Sequence, residues 1–284
     1  MIGVFDSGFG GLTVLRALLN KLPDYDYCYL GDNARAPYGN KSDELIYSYT
    51  IEALDFLFHQ GAQLIIIACN TSSARALRKV QQNYLPSNYP DKKVLGVIIP
   101  VAEEALRHSR FGRVGVIGTK ATISSQAYEV ELKKQLDKKK NKNLFNFSQK
   151  DLNISVTACP LLVPLVEEGW LNNPLTKKII RYYLRPLKRK KIDTLILGCT
   201  HYPFLLKPIR SIMGKQCRVI DTPAIVADKT ADYLERHSDI KDKIGRSRQR
   251  NYFTTDDPDD FYAKGQRFLL DSLTKVFRAK LGRI

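Results

Sequence analysis

The sequence predicts an α/β protein built as two similar α/β lobes, each with a mainly parallel sheet, facing each other across a central active-site cleft. Three observations carry this. LIIIACNTSSA at 64–74 and TLILGCTHYP at 194–203 are both apolar runs that stop at a cysteine, Cys69 and Cys199, and give way to small polar residues. Short Ile- and Leu-rich runs followed by helical pattern are what strands buried on both faces look like. Finally, GRVGVIGTKATISSQAYEVEL from Gly112 repeats the outline of the opening IGVFDSGFGGLTVLRALLNKL: strand, small-residue loop, helix.

In chain order, the opening strand turns through Asp6, Ser7 and three glycines into an amphipathic helix marked by Leu12, Val14, Leu15, Leu18, Leu19 and Leu22. Glycines there let the backbone turn sharply and approach a ligand. As a dinucleotide fingerprint the loop fails, because Thr13 occupies the third glycine position. Asp6 either assists a thiol or caps the turn; spacing alone leaves the two open. YDYCYLGD predicts a second strand ending at Asp32, NARAPYGNKS a turn, and 43–60 a helix leading to the strand before Cys69. KKVLGVIIPVAEEAL supplies a strand and crossover, the strand from Gly112 opens the second half, and RVIDTPAIVADKTADYLERH gives one more strand and helix. The last amphipathic helix follows a capped turn at Pro258.

Each predicted thiol sits at a strand's carboxyl end, the edge where open α/β sheets bind ligands and where the following helix offers N–H groups. A single strand-end cysteine is more often a small core residue. The repeated sequence of strand, Cys, then hydroxyl and amide residues at a helix start favours reactive chemistry, since a helix N-terminus lowers a thiol's pKa. Glu167 and Glu168 before Gly169 read, by themselves, as a solvated helix end.

At 284 residues the chain is long enough for two domains, and 44% hydrophobic with 26% charged residues is ordinary for a globular protein. No leader-like segment or bilayer-length apolar run is present, so a cytoplasmic location is expected. The five cysteines (28, 69, 159, 199 and 217) are odd in number, scattered and without a CxxC pair, which argues against a disulfide framework or structural zinc. Much of the net charge of +16 lies in two runs, from Lys133 within the segment 133–150 and up to Lys191. Without interleaved aromatics or a nucleic-acid motif, a solvated face is the better reading, although a positive field could also steer a dicarboxylate.

FDSGFGGLTV at 5–14, GDNARAPYGNKS at 31–42, ACNTSSA at 68–74, CPLLVPLVEEG at 159–169, GCTHYP at 198–203 and YFTTDDP at 252–258 together resemble the cofactor-independent glutamate racemases of the aspartate/glutamate racemase family. The resemblance covers essentially the whole chain, with Ser73 standing where many members have Ala. It implies interconversion of L- and D-glutamate by two-base proton transfer at Cα, supplying D-glutamate for peptidoglycan. It assigns Cys69 to the D-isomer and Cys199 to the L-isomer, with Asp6 beside Cys69, His201 beside Cys199, and Asp32 and Glu167 as acidic helpers. The substrate-binding residues it implies are Asp6, Ser7, Tyr38, Gly39, Asn70, Thr71, Thr200 and His201, with Thr119 or Thr122 joining from the second lobe. It implies no cofactor, no metal, no membrane partner and a homodimer. Neither Cys-centred motif carries a lysine for a pyridoxal Schiff base, and Cys199 with His201 alone is too few to ligate a metal. The first lobe is expected to comprise 1–97 plus 210–284 and the second 98–209. An aspartate racemase is the nearest alternative; a binding protein using its basic surface on nucleic acid is a third, which salt-sensitive binding would reveal.

Overall fold

Parallel strands need crossover helices, and the chain supplies one after nearly every strand, so its two sheets are covered on both faces. In the computed structural model, which describes residues 1–139, 147–148, 150–270 and 273–282, the first sheet contains β1 (Ile2–Asp6), β2 (Tyr27–Gly31), β3 (Leu64–Ile67) and β4 (Lys93–Gly96). The second contains β5 (Arg113–Gly118), β6 (Asn153–Ala158), β7 (Thr194–Gly198) and β8 (Arg218–Val219). The chain then returns to the first sheet as β9 (Arg250–Thr254) and β10 (Val276–Arg278). The orders are β10-β9-β2-β1-β3-β4 and β6-β5-β7-β8. Every pairing is parallel. The α/β class with two parallel sheets is therefore as expected.

Full burial of β1, β2, β3 and β7 explains why the sequence shows continuous apolar runs there rather than alternation. Register places Asp6 opposite Gly31, and Gly118 opposite both Ala158 and Gly198, so the strands of each sheet end level. One apolar core runs through both sheets, from Ile2, Val4 and Leu15 to Val116, Ile196 and Leu197. A second, smaller core lies on the other face of the first sheet, around Phe5, Leu54, Leu57 and Ile67.

The second sheet takes in a strand beyond residue 210. Arg218–Val219 pairs with Thr194 and Leu195 of β7, so the second sheet draws on residues past 209. Val219 and Ile220 are buried there, while Arg218 is exposed. The following helix Thr222–Arg236 then lies along the first helix, Leu12–Lys21, tied by Lys21 to Asp228 at 2.7 Å.

The basic run ending at Lys191 lies on and just after the helix Pro174–Arg189; Leu184 and Leu187 are buried there while Arg185, Lys188, Arg189, Lys190 and Lys191 are exposed, which makes it a solvated face. Of the basic segment 133–150, residues 140–146 and 149 lie outside the described residues. Among the described residues no helix is long and apolar enough to cross a membrane.

Candidate active site

Asp6 ends β1, Cys69 follows β3 and Cys199 follows β7, so the level strand ends bring all three to the seam between the sheets. The seam is bonded shut at several points. Thr200 Oγ1 donates to Asp6 Oδ1 at 3.3 Å, and Thr13 Oγ1 to the Thr200 carbonyl at 3.2 Å. Thr71 Oγ1 lies 3.0 Å from Thr119 Oγ1 and 3.3 Å from Thr122 Oγ1. Arg75 donates to the Ala121 carbonyl at 3.0 Å and to Ser124 Oγ at 2.6 Å, while holding Asp43 at 2.7 Å.

At this seam lies a cavity of ≈ 40 Å³. Cys69, Asn70, Thr71, Ser7, Tyr38 and Gly39 line it from the first sheet's side. Cys199, Thr200, His201, Thr119 and Glu167 line it from the other. Two of the residues singled out from the sequence as acidic helpers stand back from it, as does Thr122. Asp6 is buried behind the loop, accepting from the Gly8 N–H at 3.1 Å as well as from Thr200. Asp32 is buried under Tyr38: it accepts from the Tyr38 hydroxyl, from Arg35 Nε at 2.7 Å and from Thr255 Oγ1 at 2.8 Å. Asp32 thus organises the turn that presents Tyr38 and Gly39. Cys28, Cys159 and Cys217 are buried and do not line the cavity.

The two thiols have different surroundings. Cys69 is the N-cap of the helix Asn70–Arg75, its Sγ accepting from the Ser72 N–H at 3.5 Å and lying 3.5 Å from Ser7 Oγ. The expectation that this context lowers its pKa does not hold. Burial, then the Asp6 charge, push the Cys69 thiol up to about 11, against the opposing Ser7 and Ser72 hydrogen bonds. One six-residue helix cannot offset removal of a charge from water. Asp6 is itself raised, chiefly by burial, although the charge of His201 works the other way.

Cys199 has a cation at its side. His201 Nδ1 is 3.8 Å from Cys199 Sγ, and Nε2 is 2.9 Å from Glu167 Oε1. Burial alone would lower the imidazole, but its bonds to Cys199 and Glu167 prevail and push it up to about 10. A protonated imidazole beside a sulfur stabilises thiolate. The bland reading of Glu167 as a solvated helix end is overturned, since it faces the cavity and holds His201.

Sequence reasoning missed the aromatic wall behind His201. Phe268, on the helix Pro258–Leu269, meets the His201 ring edge-on at 5.8 Å and packs on Phe204 and Phe9. The apolar period of that helix was visible, but nothing in its spacing says which ring it faces. Also missed was the larger cavity of ≈ 400 Å³ that shares Pro37, Gly39, Thr119 and Glu167 with the smaller one and is lined beyond it by Asn40, Asp256, Asp260 and Lys264. Among the described residues no group of three or more His, Cys, Asp or Glu is arranged to hold a metal ion.

Two cysteines, Cys69 and Cys199, thus line one small chamber at the joined carboxyl ends of two parallel sheets. Residues 2–230 match the Asp/Glu/hydantoin racemase family. The chain is 40% identical over 280 residues to a glutamate racemase of Geobacter metallireducens, covering 99% of this chain and 96% of that one. A solved glutamate racemase of Bacillus anthracis superposes with a TM-score of 0.85 at 32% identity, covering 99% and 97%. That of Francisella tularensis, solved in complex with D-glutamate, gives 0.82 at 32% identity, covering 99% and 97%. The chain belongs to the Asp/Glu/hydantoin racemase family, and is an isomerase.

Proposed function

We propose that the protein interconverts L- and D-glutamate by moving a proton at Cα between Cys69 and Cys199. The observation that carries this reading is that both cysteines line one cavity from opposite sides, one held as a thiol and the other beside a cation. With L-glutamate bound, Cys199 as thiolate takes the Cα proton and the C–H electron pair stays on the substrate. Cys69 as thiol then returns a proton to the opposite face, leaving D-glutamate, thiol at Cys199 and thiolate at Cys69. With D-glutamate the same steps run backwards. Positioned acid/base groups of this kind contribute about 10²–10⁴ in rate each.

The partners divide the work. The His201 cation, oriented by Glu167, stabilises Cys199 thiolate. Asp6 disfavours charge on Cys69 and so keeps it a proton donor in the resting state. Hydroxyl, amide and backbone groups of Ser7, Tyr38, Gly39, Asn70, Thr71, Thr119 and Thr200 hold the substrate's charged ends. Thr122 acts by fixing Thr71 and Thr119. The chamber adjoins the ≈ 400 Å³ cavity through Pro37, Gly39, Thr119 and Glu167, which gives the substrate a way in. Support for glutamate comes from the relatives' names and from the D-glutamate complex of the Francisella tularensis protein. The reading extends to D-glutamate supply for peptidoglycan, a cytoplasmic site of action suited to five unpaired thiols, and a homodimer.

The test is incubation with L-glutamate and, separately, L-aspartate in deuterated water, following optical rotation and deuterium at Cα. Inversion with exchange of glutamate alone is expected. Turnover of aspartate alone would reassign the substrate, and silence with both would overturn the racemase reading.

A further inference from the structure

Tyr128 reaches across the seam to a residue that lines the cavity. It stands in the first turn of the helix Ala127–Lys139, is 1% exposed, and its hydroxyl donates to Asn70 Oδ1 at 2.7 Å. Burial, reinforced by the nearby Cys199 charge, pushes the phenol well above its ordinary range, so the hydroxyl keeps its proton. Asn70 is 3% exposed, and its Nδ2 meets no hydrogen-bond acceptor among the described residues. A buried side-chain amide with one end satisfied and the other end free has a donor to offer a ligand.

The two orientations of that amide are not equivalent. Turned over, it would present Oδ1 to the cavity, where a substrate carboxylate would be repelled. Tyr128 would then accept from Nδ2, and its own buried proton would lose its acceptor, which costs the desolvation of that group. We propose that Tyr128 is a positioning residue that locks the Asn70 amide with Nδ2 free, making Asn70 a committed hydrogen-bond donor to a substrate carboxylate. The proposal rests on the glutamate racemase reading. Tyr128 stands on a helix after β5 of the second sheet and Asn70 on one after β3 of the first, so the amide is set across the seam.

Tyr128→Phe removes the hydroxyl and keeps the ring. Expected is a rise of about tenfold in KM for both glutamate enantiomers, with kcat changed by less than about threefold, the loss appropriate to one weakened hydrogen bond to a charged group. A purely structural role is separated by a double-mutant cycle on kcat/KM. In an Asn70→Ala background, Tyr128→Phe should change kcat/KM by less than about twofold. Unchanged KM in Tyr128→Phe, or an equal loss in both backgrounds, would overturn the proposal while leaving the racemase reading standing. Failure of the wild-type protein to racemise glutamate in the same assay would overturn that reading and this proposal with it.

Discussion

His201 bridges Cys199 and Glu167, its Nδ1 3.8 Å from the sulfur and its Nε2 2.9 Å from the carboxylate. The ring thus has a partner at each nitrogen, and its charge depends on both. His201 is raised to about 10, so it stays a cation through neutral pH and loses its proton only near that value. Glu167→Gln withdraws one of the two causes. The alkaline limb of the pH–rate profile should move toward neutral by about one pH unit, and kcat should fall about a hundredfold. An alkaline limb left where it was would remove Glu167 from this role.

The same shift bears on stability. A histidine raised in the folded state contributes stability that is complete below its unfolded value, about 6.5. That contribution is lost as pH rises through about 10. Between pH 7 and 10.5 the wild-type melting temperature should therefore fall by several degrees more than that of His201→Asn. Parallel melting curves would contradict the assignment.

On the proposed mechanism, Cys69→Ala and Cys199→Ala should each lower racemisation by about 10³ or more, since each removes one of its two proton carriers. Both side chains are small and buried, so melting temperatures should change little. Polarimetry on each variant decides the matter; near-normal turnover by either would sink the two-thiol mechanism.

Asp6 carries an opposite liability. Its raised pKa means that the unfolded chain ionises it more readily, so the buried carboxylate costs stability once pH exceeds the ordinary aspartate value of about 3.9. Asp6→Asn removes the charge and keeps one oxygen, which accepts from the Gly8 N–H or from Thr200 but not from both. It should melt roughly 2 °C higher at pH 7 while racemising at least about tenfold more slowly. A variant both less stable and fully active would reverse the argument.

Gly10 is a steric requirement of the closed seam. A Cβ at this position would lie 2.6 Å from His201 Nδ1 and would also strike Thr200 Oγ1. Gly10→Ala should fold, because the clash is relieved by parting the lobes, yet lose about a hundredfold in kcat/KM through misplacement of His201. Wild-type kinetics in that variant would show that the lobes do not meet as described.

The sequence disclosed the parallel sheets because buried strands are short, apolar and bounded by loops, and those signals are local. Cys69 and Cys199 were legible for the same reason: each ends a strand run and begins a polar helix start. Glu167 was not legible from its spacing, since an acidic pair before a glycine looks the same whether it faces water or His201. Family resemblance supplied that pairing. Asp32 shows the converse, because its motif is plain while its duty, holding Tyr38, Arg35 and Thr255, depends on β9 arriving beside β2 from more than 200 residues away. The membership of β8 in the second sheet was hidden for want of length, with two residues offering no periodicity.

The position of β9 between β2 and β10, and of Phe268 against His201, matters during synthesis. A nascent chain that has passed β8 already holds every residue lining the small chamber, the last being His201. It still lacks Thr255 to brace the Asp32 turn and Phe268 to back the imidazole. Interrupted translation products would therefore carry both thiols while leaving the edge of β2 unpaired.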